Sequence, residues 1–192
     1  MFPADTFRTT LEKIIAILQT YKIKFHLTGG ITSVAYGEPR MTQDVDIVVD
    51  NEAVQRQLDS FIESLHDSNF LFDETAIRTA VDQKKMFQLL DSVEAFKLDI
   101  YPRELIPGEL ERSNTLELFE GMLVPIASLA DIAGAKLIWI RKGSHKSRRD
   151  LRQLIRIATK SQLQTIDQLA TDLGLHELLA EVFSESDEID VK

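Results

Sequence analysis

The residues that decide the fold read GGITSVAYGEPRMTQDVDI at positions 29–47. Two glycines open this segment, between a predicted strand at 24–27 and a predicted short helix at 31–36. Glycine lets a backbone come close to a ligand, and the free N–H groups at a helix start suit a phosphate. Gly29, Gly30 and the nearby hydroxyl of Ser33 are therefore candidate phosphate-binding residues, although a Gly-Gly pair alone is more often a plain turn.

Two aspartates, Asp44 and Asp46, close the segment at the head of a predicted strand at 45–49. Residues two apart on a strand point to the same face, so Val45 between them points into the core. Neighbouring carboxylates repel each other unless a cation lies between them, and Mg²⁺ is held by a few carboxylates together with phosphate oxygens. The pair predicts a metal site; the alternative is that both acids only solvate the start of the strand.

A third carboxylate, Asp99, lies in the middle of a predicted strand at 95–101. It shares a face with positions 97 and 101 and is expected to point away from the core. If this strand lies beside the first, three carboxylates converge, as in two-metal phosphoryl-transfer sites, and Asp99 could also act as general base. The alternative is an exposed acid on an edge strand. Asp82 and Asp91 compete for the same role, but neither is predicted to lie in mid-strand.

The combined pattern resembles the nucleotidyltransferase superfold, the group built like DNA polymerase β. The resemblance rests on strand, Gly-Gly, short helix, Gly-x-x-Arg-x-Thr-x-Asp-x-Asp-Ile and a later isolated Asp, and is close over residues 22–50 and loose over 86–158. It is strongest to bacterial and archaeal members that include abortive-infection toxins. The resemblance implies Gly29 and Gly30 at a triphosphate, Asp44 and Asp46 on metal ions, and Asp99 as third ligand and base.

The sequence departs from that pattern at one position, because many members have serine where this chain has Gly30. Ser33 or backbone N–H groups must then bind the phosphate. Arg40 also matches and would suit a phosphate as a bidentate donor, or else pairs with Glu38 on a surface turn. The resemblance further implies that Lys136 reaches the triphosphate.

The remaining periodicity predicts an α+β fold, with a mixed β-sheet flanked by helices and followed by a helical C-terminal part. Helices are expected at 5–20 and 51–65, and a hairpin at 115–124 with a turn near 120–121 and a stop at Pro125. Four helices are then expected, at 128–141, 147–159, 162–173 and 175–183. The predicted domains are an α/β core at 1–125, a helical part at 126–183 and an acidic tail at 184–192.

Composition narrows the class of protein. The 192 residues include no cysteine, which excludes thiolate metal sites and cysteine nucleophiles, and the net charge of −9 disfavours non-specific nucleic-acid binding. Residues 131–156 nevertheless hold eight Lys and Arg against two Asp. Within this basic segment, the run at 141–152 either guides an RNA acceptor or only solvates a loop. Trp139 is expected in a helix core. No membrane span or secretory signal is predicted, so the expected location is the cytoplasm.

The resemblance implies transfer of a nucleoside monophosphate from an NTP to a hydroxyl of an RNA, protein or small-molecule acceptor, with release of pyrophosphate and with Mg²⁺ or Mn²⁺ as cofactor. The alternative is a catalytically degenerate domain of this fold. Such a domain would bind a nucleotide or a partner protein, in a toxin–antitoxin pair for example. The sequence makes no prediction of the oligomeric state.

Overall fold

The computed structural model describes residues 4–36 and 44–185, and every structural statement refers to these. The predicted turn at 37–40, with Arg40, lies outside the described residues, and so does the acidic tail from residue 186 on. The described chain forms two compact units. One contains the described residues up to Thr32 and those from Asp44 to Ala127, and the other contains residues 33–36 and those from Ser128 on. The domain boundaries expected from the sequence stay predictions.

The first unit is built on one sheet of seven strands. The strands are β1 (Phe25–Thr28), β2 (Asp44–Val49), β3 (Phe70–Leu71), β4 (Phe87–Asp91), β5 (Phe96–Tyr101), β6 (Asn114–Phe119) and β7 (Met122–Ile126). Their order across the sheet is β3-β4-β5-β2-β1-β7-β6. Strand β2 pairs parallel with β5 and antiparallel with β1, so the sheet is mixed and β2 lies near its centre.

Five helices accompany these strands in the described chain. They are α1 (Ala4–Thr20), α2 (Gly30–Tyr36), α3 (Asn51–Arg56), α4 (Leu58–Asp67) and α5 (Glu74–Gln83). Helix α1 packs against β5 and α4, and α5 packs against β4. Alternate residues of the central strands, such as Val45, Ile47 and Leu98, are fully buried. Because strand side chains alternate, the residues between them turn to the opposite face of the sheet.

The second unit contains four helices among its described residues. They are α6 (Leu129–Arg141), α7 (His145–Ile157), α8 (Lys160–Asp172) and α9 (His176–Ser184). Helix α6 packs against α7 and α8, and α7 packs against α9. Serine and threonine caps fix the starts of three of them: the Ser128 hydroxyl accepts from the Asp131 N–H, the Ser144 hydroxyl accepts from the Ser147 N–H, and Thr159 forms a capping box with Gln162.

The predicted α+β class is confirmed, with three local corrections. The helix expected at 51–65 is two helices, α3 and α4, which meet at Gln57. Strand β7 runs through Pro125 to Ile126, since a proline can occupy a strand position that needs no N–H donor. Trp139 is 44% exposed rather than in the core, because successive helix residues turn by about 100° and Leu137, Ile138 and Ile140 already take the buried side.

Candidate active site

The central strands bring the three predicted carboxylates to one face of the sheet. In the parallel register of β2 and β5, Asp46 lies opposite Asp99 and Asp44 lies opposite Lys97. Neighbouring strands are about 4.8 Å apart, so these side chains are direct neighbours. We call the surface formed by Asp44, Asp46 and Asp99 the acidic face.

Asp46 accepts two hydrogen bonds and has a raised pKa. Its Oδ1 accepts a hydrogen bond of 3.1 Å from the Tyr101 hydroxyl, and its carboxylate also accepts one from the Gly30 backbone N–H. Burial raises the pKa of Asp46 to about 6, and the negative charges of Asp44 and Asp99 add to this effect, while the two hydrogen bonds oppose it. Asp46 is therefore ionised near neutral pH at an energetic cost that a bound cation would relieve.

Gly29 permits the close approach of Asp46 to the backbone. Its φ is +66°, in the left-handed region, and a Cβ atom placed on it would lie 1.8 Å from the Asp46 Oδ2. Any other residue would be strained there and would displace the carboxylate. The Thr32 hydroxyl donates to the Gly29 carbonyl at 2.6 Å, which ties the bend to the first turn of α2. The absence of a side chain at Gly29 thus allows the Asp46 carboxylate to lie against the backbone.

Asp99 is held by two neighbours. It is only 7% exposed. Its Oδ1 accepts from the Gln88 amide at 3.1 Å, and both of its oxygens lie 3.4 Å from the Lys97 ammonium. The same Nζ lies 3.5 Å from the Asp44 Oδ2, so a single ammonium bridges two of the three acids.

The charges on this face also shift the pKa values of its two other ionisable groups. Burial lowers the pKa of the Lys97 ammonium, but the adjacent carboxylates of Asp99 and Asp44 outweigh burial and raise it. Burial and the charge of Asp46 both raise the pKa of Tyr101, so its phenol stays protonated and can donate to Asp46. Lys97 is therefore a permanent positive charge and Tyr101 a permanent donor over the ordinary pH range.

Lys97, Tyr101 and Gln88 were missed as functional residues by the sequence analysis. For the first two a signal existed, because positions 97, 99 and 101 share one face of a strand. For Gln88 it did not, because its contact with Asp99 depends on the register between β4 and β5, in which the two residues lie opposite each other.

Asp91 and Asp82, the two other candidates for the third carboxylate, lie outside the β2–β5 pair. Asp91 is fully buried at the end of β4 and accepts hydrogen bonds from the Lys13 ammonium at 2.8 Å and the Thr10 hydroxyl at 3.0 Å. Asp82 lies on an exposed side of α5. Neither lies on the β2–β5 pair, which leaves Asp99 as the candidate.

The remaining predicted site residues are not tested by these contacts. The Ser33 side chain and the whole of Arg40 lie outside the described part of the chain. Lys136 lies on α6 in the second unit, where its Nζ donates to the Asp150 Oδ2 at 2.7 Å. Both side chains are largely buried, at 13% and 11% exposure. The role of Lys136 at a phosphate stays a prediction.

Part of the basic segment is neutralised within the second unit. Arg148 pairs with Glu181 at 2.9 Å and with Glu185, and Arg152 also pairs with Glu185. These contacts join α7 to the end of α9. They favour a structural use for at least these two charges over the guidance of an acceptor.

The donor set of the acidic face fits a hard divalent ion, because Mg²⁺ prefers carboxylate oxygens, and because burial and then the charges of Asp44 and Asp99 disfavour the ionised form of Asp46 in the absence of a cation. The arrangement is nevertheless not a finished ligand set. Within residues 4–36 and 44–185, no group of three or more His, Asp or Glu side chains is placed so that it could hold a metal ion. The Lys97 ammonium lies between Asp44 and Asp99 instead.

Solved structures similar to this chain include the following three. The lincosamide antibiotic adenylyltransferase LnuA, crystallised with lincomycin, is 16% identical, with 77% of this chain and 96% of that chain covered and a TM-score of 0.50. The antibiotic-resistance factor ANT(2'')-Ia is 14% identical, with 94% and 91% covered and a TM-score of 0.49. A nucleotidyltransferase-like protein from Paracoccidioides brasiliensis is 19% identical, with 94% of each chain covered and a TM-score of 0.49. The likeness to LnuA shows the fold alone.

The mixed sheet and the likeness to LnuA define a nucleotidyltransferase-like fold. Over residues 12–190 the sequence matches the family described as nucleotidyl transferase AbiEii toxin, type IV TA system. The chain therefore belongs to the AbiEii nucleotidyltransferase toxin family, and it is an enzyme that carries out nucleotidyl transfer. No curated protein sequence gave a significant match. No helix in the described part of the chain is long and apolar enough to cross a membrane.

This assignment confirms the predicted resemblance to abortive-infection nucleotidyltransferases and the prediction that the chain is an enzyme. It does not support the alternative of a degenerate binding domain.

Proposed function

We propose that this chain transfers a nucleoside monophosphate from an NTP to a hydroxyl group through Asp44, Asp46 and Asp99, and that it acts as the toxin of a toxin–antitoxin pair. The observation that supports the site most directly is the parallel register of β2 and β5, in which Asp46 lies opposite Asp99. The Gly30 N–H donates a hydrogen bond to Asp46, so the glycine bend lies next to the same carboxylates.

In the proposed reaction, the acceptor hydroxyl oxygen forms a bond to the α-phosphorus while the bond to the α–β bridging oxygen breaks. Pyrophosphate leaves, and Asp99 accepts the hydroxyl proton. The Gln88 amide orients Asp99 by donating to its Oδ1, and the Lys97 ammonium lies 3.4 Å from the Oδ2 that would take the proton. Tyr101 and the Gly30 N–H orient Asp46 in the same way.

Asp44, Asp46 and Asp99 would hold the divalent ion. When bound, Mg²⁺ or Mn²⁺ neutralises charge on the triphosphate and makes the attacking hydroxyl more acidic. The remaining role of the protein is positioning, which accounts for a large share of phosphoryl-transfer catalysis. We retain Gly29, Gly30, Ser33, Arg40 and Lys136 as proposed contacts of the triphosphate.

The test is a transfer assay with α-labelled NTPs, Mg²⁺ or Mn²⁺, and three separate acceptor pools: RNA, protein and small hydroxyl compounds. Wild type, Asp46→Asn and the matched control Asp82→Asn are compared for pyrophosphate release and for label on the acceptor. We expect wild type and Asp82→Asn to label one pool and Asp46→Asn to lose at least about 100-fold, the size typical for loss of an essential transition-state group. Equal, metal-independent signal from all three proteins would refute the proposal.

The toxin role has a separate readout. Expression of the wild-type chain in a bacterial host is expected to arrest growth, and Asp46→Asn at the same protein level is expected not to. Arrest by both proteins would mean that toxicity does not depend on nucleotidyl transfer at this site. Co-expression of adjacent genes from the source genome would identify the antitoxin.

A further inference from the structure

Lys97 occupies an unusual place for a lysine, because it projects from the middle of the acidic face. It lies two residues before Asp99 on β5 and opposite Asp44 in the register with β2. Its Nζ lies 3.5 Å from the Asp44 Oδ2 and 3.4 Å from each oxygen of Asp99. The contacted oxygens belong to two of the three carboxylates that the proposed function assigns to a metal ion.

In the metal-free protein the Lys97 ammonium offsets the repulsion between the carboxylates, as a metal ion would in the metal-bound protein. Three carboxylates on neighbouring strand positions repel each other, and a fixed positive charge between two of them offsets that repulsion. Of the two acids that Lys97 contacts, Asp99 depends more on this charge, because its side chain is 10% exposed against 41% for Asp44 and gains less from water. A dication that approaches Asp44 and Asp99 must therefore displace the ammonium or bind beside it at an electrostatic cost.

The side chain of Lys97 is able to move aside. It is 39% exposed, so its flexible four-carbon stem can carry the ammonium to solvent without unpacking the core. Its partners are less mobile, since Asp99 is also held by Gln88 on β4. The exchange of one cation for another thus requires movement of a single exposed side chain.

We propose that Lys97 is a built-in counter-cation that holds Asp44 and Asp99 together in the metal-free site and competes with the divalent ion for them. The proposal rests on the proposed function in one respect: it requires that a metal ion binds at the acidic face. It makes Lys97 a positioning residue that sets the metal concentration at which the enzyme becomes loaded.

The test measures Mn²⁺ binding to the full chain without nucleotide, by electron paramagnetic resonance of free Mn²⁺ or by calorimetry. Lys97→Met keeps the apolar stem and removes the charge, whereas Lys97→Arg keeps the charge. We expect Lys97→Met to bind Mn²⁺ on the order of 10-fold more tightly, the size that Coulomb's law gives for a unit charge that has moved to about 6 Å from a dication with water-like screening. Lys97→Arg should stay within about twofold of wild type, because its charge is retained.

A second readout is the melting temperature in EDTA and after addition of Mn²⁺. Lys97→Met should melt below wild type in EDTA and gain more from Mn²⁺, while Lys85→Met, at an exposed lysine of the same unit, should match wild type in both. Equal or weaker Mn²⁺ binding by Lys97→Met than by wild type would overturn the proposal and leave the metal site intact. Absence of Mn²⁺ binding by every variant would overturn the metal site itself, and this proposal with it.

Discussion

Replacement of Asp46 by asparagine should stabilise the metal-free protein while it abolishes transfer. The asparagine amide oxygen can still accept from the Tyr101 hydroxyl, which donates to Asp46 at 3.1 Å, so the shape and one hydrogen bond of the site survive. What is lost is a buried negative charge next to Asp44 and Asp99. Removal of such a charge relieves both desolvation and repulsion.

The size of the effect follows from the pKa. Burial raises the pKa of Asp46 from 3.8 to about 6. Between these two values the folded protein binds more protons than the unfolded chain, so stability falls as the pH rises through this window. A shift of this size costs about 3 kcal/mol at pH 7 and about 1.5 kcal/mol at pH 5, since one pKa unit corresponds to about 1.4 kcal/mol.

The measurement is urea unfolding in EDTA at pH 7, pH 5 and pH 4, followed by circular dichroism. Asp46→Asn should exceed wild type in the free energy of unfolding by about 2–3 kcal/mol at pH 7 and by less than about 1 kcal/mol at pH 4. The matched control Asp82→Asn, at an exposed helix position, should track wild type at all three values. The pyrophosphate assay on the same preparations should show the loss of activity.

Two results would refute this reasoning. If Asp46→Asn were less stable than wild type at pH 7, the carboxylate would be better solvated or better paired than its contacts with Tyr101 and Gly30 imply. If the stability difference were the same at pH 7 and pH 4, the effect would not come from ionisation of Asp46.

Three further substitutions test other contacts of the first unit. Gly29→Ala must adopt a φ of +66° and displaces Asp46, so we expect a loss of at least about 2 kcal/mol in urea unfolding, together with loss of pyrophosphate release. Asp91→Asn breaks the contact with Lys13 at a fully buried position and should cost about 3 kcal/mol at pH 7. Burial raises the pKa of Asp91, but the hydrogen bond from Lys13 and other donors outweigh it and lower the pKa, so this difference should shrink in unfolding curves only below about pH 3.8. Tyr101→Phe removes a donor to Asp46 and raises its pKa further, so it should cost about 1 kcal/mol at pH 7, and stability should continue to fall with rising pH beyond about pH 6, where the fall ends in wild type.

The sequence was sufficient to predict the central strands and the face on which their acids lie. Strand alternation around Val45 and Leu98 requires that Asp44, Asp46 and Asp99 turn away from the core, and this depends on local geometry alone. The hairpin of β6 and β7 was also predictable from a local signal, because a glycine, Gly121, separates two strand-like segments. In the structure this glycine has a positive φ and lies in the turn between the two strands.

Features that depend on register or on competition between neighbours were not predictable. The contact of Gln88 with Asp99 depends on which residue β4 places beside β5, and no local pattern determines that register. Trp139 is one of four successive apolar residues of α6, and only some of them can face the core. Trp139 is the exposed one, and the centre of its ring lies 4.8 Å from the Lys142 ammonium. Sequence periodicity therefore identifies faces, whereas tertiary contacts determine which side chain on a face has which partner.

The acidic face is best understood as one electrostatic unit rather than as three separate ligands. Its negative charge is compensated in the metal-free protein by one ammonium at Lys97 and by the hydrogen bonds to Asp46 and Asp99. That compensation is incomplete, because the pKa of Asp46 remains raised to about 6 despite two donors. A divalent ion that relieves the unfavourable charge on Asp46 gains binding free energy. The same ion must displace the Lys97 ammonium, which costs binding free energy. The two effects therefore contribute to the metal affinity with opposite signs.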